Sequence, residues 1–323
     1  MPKKGILGCS FPVLIVIVIA IIAVVFIGLL AGPVGRGLLS KLGISLDFPS
    51  WFSVPQPAPE LPAATVFHIL GFPITNSIIG AWITMIVLVG FSFVVTRRMK
   101  VVPGRLQSAF EFLLGWLYEF CQRVAGEENG RRFFPIVATI FLFVAFNAWL
   151  SLLPGFGSIE IVNSEGHHVH LLRGANTDIN LPLALALVSF VFVEYFGLRS
   201  LGLRYLKKFI NVGGLFRSIG QIFKGRLKAG LSGLITGFID IFVGLLEALS
   251  ELIRIVSFTA RLFGNMTAGE ILLVIVVFLV PWIIVFPFHI LELLVGFVQA
   301  LIFGGLTLVF LTLAVSHHGS ERA

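Results

Sequence analysis

Between Gly230 and Val280 the chain runs without a proline through an apolar pattern of helical period. About 50 residues at ~1.5 Å each make a helix of ~75 Å. The hydrocarbon core of a bilayer is only ~30 Å thick. A helix of that length cannot stand upright in a membrane; it lies steeply tilted, or it breaks. Pro281 and Pro287 then mark a turn, and a second overlong helix is expected from about Phe288 to Ser316. The chain should therefore end in a hairpin of two long tilted helices, over residues 228–316.

Polar residues on these helices fall into a pattern. Asp240, Glu247, Arg254 and Arg261 recur every seven residues, and seven residues turn a helix to within ~20° of whole turns. Ser250, Ser257 and Asn265 lie close to the same side. Serine and asparagine suit interhelical hydrogen bonding. Two arginines and two acids suit it poorly, because an unpaired charge at mid-membrane is costly. Glu251 reaches Arg254 at i,i+3 spacing, so Arg254 reads as a structural salt bridge.

Arg261 is different. Three and four residues away stand Ser257, Phe258, Gly264 and Asn265, none of them acidic. Its counter-charge is expected from another helix or another chain. Glu270 follows it at a rotation of ~900° and ~13.5 Å further along the axis, on the opposite face. On the second helix Glu292 and Gln299 share a face, with His289 one turn earlier. An antiparallel hairpin would carry Glu270 and Glu292 toward one depth. Two carboxylates and a histidine there make a candidate proton relay.

Composition agrees with a membrane setting. The 323 residues are 57% hydrophobic and 12% charged, with a mean hydropathy of +1.02, far from a soluble domain. The net charge of +7 gathers at the ends of apolar runs, as the positive-inside rule expects. It is not interleaved with aromatics on one polar face, so nucleic acid is not the expected partner. The expected class is an all-α integral membrane protein with about six apolar helices. An amphipathic helix on the cytoplasmic side is expected around Leu106, Phe110, Leu113, Leu117 and Val124.

The expected organisation starts with a membrane anchor over 1–33. Its apolar run exceeds the ~7–15 residues of a signal core, which favours a retained helix over a cleaved signal. An exposed linker rich in Pro, Ser and Gly is expected over 34–72, then a membrane domain over 73–323. Spans are expected near 74–95, 133–153 and 181–198. Residues 199–228 hold eight Lys or Arg and no acid, the strongest cytoplasmic mark in the chain. His167, His168 and His170 lack a paired carboxylate, a weak basis for metal binding. Cys9 and Cys121 have no metal-ligand spacing and imply no disulfide framework. No cofactor is expected.

The motifs themselves resemble a known family. "SFTARLFGNMTAGE" (257–270) and "FVQALIFGGLTLVFLTLA" (297–314) resemble subunit a of the F-type ATP synthase, the stator beside the rotating c-ring. "PITNSIIGAWITMIVLV", "RRMKVVPGRLQSAFEFLLGWLYE", "FFPIVATIFLFVAFNAWLSLLPG" and "NTDINLPLALALVSFVFV" resemble it too, in order. The resemblance covers roughly 66–198 and 230–316.

It implies that Arg261 faces the c-ring carboxylate and separates two aqueous half-channels, with Asn265 one turn on. It implies that Glu270 is the acid of the outer half-channel. Gln299 matches the family's glutamine, and the position seven before it is Glu292, where members carry histidine or glutamate. His289 is three residues off that position and does not inherit its role. Asp178 and Asn180 resemble the polar start of the fourth span. Glu247, Ser250, Arg254 and Ser257 match polar positions of the long helix, candidates for lining the inner half-channel.

The implied partners are the c-ring, the peripheral-stalk b subunits and the lipid bilayer, with no direct nucleotide binding, since the chain shows no phosphate-cradling glycine loop. The resemblance implies a non-catalytic subunit. The absence of an organellar transit pattern favours a bacterial plasma membrane, although an organelle-encoded copy would look similar, and both termini are expected in the cytoplasm. The N-terminal apolar segment and the long basic insert depart from the family's five-helix pattern. A secondary cation transporter and a non-transporting scaffold remain as rivals; the first would show an internal repeat with broken helices, and none is evident.

Overall fold

The computed structural model describes the chain apart from residues 1–10, 43–55, 57–61, 98, 154, 158, 163–167, 203–204, 206–208, 210–217, 219–226, 281–283 and 317–323. The protein is an all-α integral membrane protein. The helices are α1 (Phe11–Ala31), α2 (Pro33–Lys41), α3 (Asn76–Arg97), α4 (Arg105–Ala125), α5 (Glu127–Ser151), α6 (Asn180–Leu201), α7 (Leu227–Leu279) and α8 (Val285–Ser316). Among the described residues five are long and apolar enough to cross a membrane: α3, α5, α6, α7 and α8. A sixth is added if α1 and α2, bent by 75°, count as one broken span.

The segment expected as an exposed linker has regular structure among its described residues. It contains α2 and the antiparallel hairpin β1 (Thr65–Ile69) and β2 (Phe72–Thr75). Gly32 is the N-cap of α2, Pro33 opens it and Lys41 closes it, a start and stop chemistry that a nine-residue helix needs. The hairpin turns on Leu70 and Gly71, with φ of 52° and 83°. Two successive positive φ values are the signature of the tight turn that matches strand twist. A second small hairpin pairs β3 (Glu160–Val162) with β4 (His168–His170). The basic stretch 199–228 falls largely outside the described residues, as does His167.

α8 begins at Val285, three residues before its expected start, and takes in Pro287. A proline in the first turn is tolerated because the missing N–H has no intrahelical acceptor there. Pro135 sits deeper, inside α5.

The chain divides into two compact units. The first comprises 1–79, 148–177 and 264–297; the second comprises 80–147, 178–263 and 298–323. In the second unit the core is built on α5, where Phe133, Val137, Phe141 and Val144 are almost fully buried at helical spacing. Phe133 packs edge-on to Phe196 of α6 at 5.1 Å. Gly304 of α8 lies beside Val137 and Phe141. Interhelical hydrogen bonds join Ser189 to Thr307 at 2.8 Å and Asn147 to Thr84 at 3.0 Å.

α4 is amphipathic, as its pattern required, but the buried face is not the whole expected set. Phe110, Leu117, Cys121 and Ala125 are buried, whereas Leu106 and Val124 are exposed. The buried line drifts to Cys121 and Ala125 because small side chains permit the close approach of α5, whose Gly130 abuts the Gln122 backbone.

Candidate proton-pathway site

In the second unit the inner seam of α7 is a row of buried residues, Gly237, Gly244, Glu251 and Phe258, spaced seven apart. The polar stripe Asp240, Glu247, Arg254 and Arg261 is offset by three residues, or ~60° around the axis. Each of its four members is half-buried. The stripe therefore runs along the edge of the buried seam, with Ser250 and Ser257 more exposed. Outside it, Phe242, Leu245, Leu249, Leu252 and Val256 are bare apolar side chains, as lipid or an apolar partner would require.

Arg254 places Nη1 2.6 Å from Glu251 Oε2. Its guanidinium also lies over the Phe310 ring, 3.7 Å from the centroid. Glu251 is 4% exposed, so this arginine supplies the counter-charge of a buried acid. Arg261 is arranged otherwise. Among the described residues it has no ion pair, and its aromatic neighbour is the Phe258 ring at 6.0 Å, at the outer limit of a cation–π contact. Phe258 is held by Phe303 and Phe310 at 4.9 and 5.8 Å. Gln299 of α8 is buried in the same unit. Asp178 accepts hydrogen bonds from the backbone N–H and the side-chain amide of Asn180, at 3.1 and 3.0 Å.

In the first unit Glu292 is buried. Its carboxylate occupies the space a Cβ at residue 269 would need, so it lies on the backbone immediately before Glu270. The turn of α8 around Glu292 is braced from α5. Gly296 admits the Ala148 methyl. Trp149 donates its indole N–H to the Leu293 carbonyl at 3.2 Å and stacks on Phe297. His289 Nδ1 lies 3.2 Å from the Val285 carbonyl. Asn265 is exposed on α7.

Sequence reasoning missed two members of this group. Arg173 sits 3.2 Å from Glu270 (Nε to Oε1); its partner is 97 residues away, and no local spacing marks the pair. Gly269 is needed for the seating of Glu292, and only the packing shows it. Outside the spans, Tyr205 donates its phenol O–H to Glu194 at 3.1 Å. Burial, reinforced by the Glu194 charge, pushes that phenol well above the ordinary tyrosine range.

The ATP synthase A chain family matches residues 78–312, a stretch that contains Asp178, Glu247, Arg261, Glu270, Glu292 and Gln299. The chain belongs to the ATP synthase subunit a family. The ATP synthase subunit a of Gloeobacter violaceus is 32% identical over 247 residues, covering 76% of this chain and 86% of that protein. That of Desulfosudis oleivorans is 31% identical over 268 residues, covering 80% and 98%. That of Moorella thermoacetica is 27% identical over 254 residues, covering 78% and 96%. The protein is thus a multi-pass membrane component of the ATP synthase, belonging to its F0 sector and to proton transport and ATP synthesis. α1, α2 and the first hairpin lie before residue 78, where the match to the family model begins.

Proposed function

We propose that this subunit a carries protons to and from the carboxylates of a c-ring through two aqueous half-channels, and so couples proton flow to rotation. The observation that supports this best is Arg261. It is a half-buried cation with no ion pair among the described residues, set at the edge of the α7 seam where a passing partner can supply the counter-charge. Membrane burial of such a charge is costly, and a mobile carboxylate on a rotor would offset that cost.

Protons enter from the outer side past Asp178, Glu270 and Glu292 and neutralise a c-ring carboxylate. The neutral acid can face lipid at modest cost, whereas its ion cannot. After most of a rotation the acid reaches the inner half-channel near Glu247, Ser250 and Ser257 and releases its proton. Arg261, with Asn265 one turn on and Gln299 on the second long helix, separates the two paths. A fixed cation there repels a proton and keeps the arriving carboxylate ionised.

The chain performs no bond chemistry; partner subunits make ATP. The b subunits of the peripheral stalk hold it against the c-ring. In this reading the chain sits in a bacterial plasma membrane with both termini cytoplasmic, and the proton is taken as the default coupling ion over Na⁺.

Arg261→Ala in reconstituted vesicles tests the proposal. ATP-driven proton pumping should be lost; pumping at the wild-type rate would refute the role of Arg261. Glu270→Gln should slow transport without uncoupling it.

A further inference from the structure

We infer that Arg173 is a positioning residue for Glu270, holding that carboxylate from behind while its other side stays open to the proton path; this rests on the reading of Glu270 as an outer half-channel acid. The contact is a fork. Nε lies 3.2 Å from Oε1, and Nε and Nη2 each donate to Oε2 at 3.3 Å. Nη1 donates to the Pro62 carbonyl at 3.1 Å. The planar guanidinium is thereby tied on two edges, and a forked contact fixes orientation as well as distance.

The two partners are unequally buried. The Arg173 side chain is 8% exposed and that of Glu270 is 39% exposed. The cation is fixed in the protein, and the carboxylate is the half that meets the path.

The backbone carrying Arg173 is unusually firm for a connecting segment. Arg173, Gly174, Ala175, Asn176 and Thr177 are buried in succession. Thr177 returns both its N–H and its hydroxyl to the Gly174 carbonyl, at 3.1 and 2.7 Å. A guanidinium on such a platform can hold a functional group to the fraction of an ångström that such a group requires. Stability alone explains the pair poorly. A half-exposed ion pair adds little, and burying an arginine carries a desolvation cost.

A double-mutant cycle in the assembled ATP synthase, reconstituted in vesicles, tests the role through ATP-driven proton pumping. Arg173→Gln should slow pumping on the order of tenfold, and Arg173→Lys, which keeps the charge but not the fork, should give an intermediate rate. In the Glu270→Gln background, Arg173→Gln should add nothing further. An undiminished effect in that background would mean that Arg173 acts through Pro62 instead, and would overturn the inference. So would a wild-type rate for Arg173→Gln. If Arg173→Gln fails to assemble, Arg173→Lys decides: a slowed rate at normal membrane levels supports the role, and a wild-type rate refutes it. A wild-type rate for Glu270→Gln would refute the reading of Glu270 itself, and this inference with it.

Discussion

The carboxylate of Glu292 lies where a side chain at residue 269 would begin. That glycine is a seat: it lets an acid of α8 rest on the α7 backbone one residue before Glu270. Gly269→Ala should displace the carboxylate without displacing the helix, because the clash is with the far end of a flexible side chain. ATP-driven pumping should fall several-fold while subunit levels in the membrane hold. Adding Glu292→Asp, which withdraws the carboxylate by one methylene, should restore part of the rate. Unchanged pumping in Gly269→Ala would show that the position of Glu292 is immaterial.

Arg254 should behave as a structural cation. Arg254→Ala removes both the ion pair to Glu251 and the stacking on Phe310. Breaking a buried pair on one side costs ~3–5 kcal/mol, and Arg254 is itself partly exposed, so the lower figure applies. The readout is the amount of assembled complex and its thermal inactivation. Arg254→Lys should recover much of the loss, since it keeps the charge. Normal assembly of Arg254→Ala would contradict this assignment.

Cys121 is fully buried, and burial pushes its thiol up to about 11. At pH 8 the thiolate fraction is then on the order of 100-fold below that of an ordinary cysteine. In a Cys9→Ser background, maleimide labelling should be negligible until the protein is denatured. The sign for stability follows: the folded state keeps the proton more tightly than the unfolded one. The contribution is therefore complete below the ordinary thiol range and is lost as pH rises from about 8.5 toward 11. Rapid labelling of the native complex at pH 8 would contradict the packing of α4 on α5.

Ser189 and Thr307 share a buried hydrogen bond at 2.8 Å, well outside the polar stripe. Interhelical bonds of this kind average ~0.6 kcal/mol in membranes. Ser189→Ala should leave pumping at the wild-type rate and shift thermal inactivation only slightly. A loss of proton pumping there would mean that the proton path is wider than the stripe and the two glutamates.

Much of this could be read before any packing was known. The seven-residue recurrence of Asp240, Glu247, Arg254 and Arg261 is a property of the chain alone, and hydropathy marked α3 and α6 nearly to their ends; α5 starts six residues before its expected span, in the polar turn from Glu127 to Arg132. The N-terminal helix α1 lies within the segment expected as an anchor. Other features were illegible for identifiable reasons. α2 is too short for periodicity to register, and its signal is confined to Gly32, Pro33 and Lys41. The β1–β2 hairpin rests on a Leu70–Gly71 turn, where leucine at positive φ conceals the usual dipeptide signal. Leu106 and Val124 share the period of α4 yet face outward, because periodicity gives the spacing of a face and not its centre.

The sequence by itself determined the class of environment, the apolar character of the long helices, the polar stripe and the family. These depend on local composition and on helical geometry, which each segment carries with it. Only the tertiary structure decided which charges are answered and by what. It paired Arg173 with Glu270 across 97 residues, seated Glu292 on Gly269, and left Arg261 without an ion pair among the described residues. Such contacts are made between distant segments, where close approach rather than spacing selects the partner.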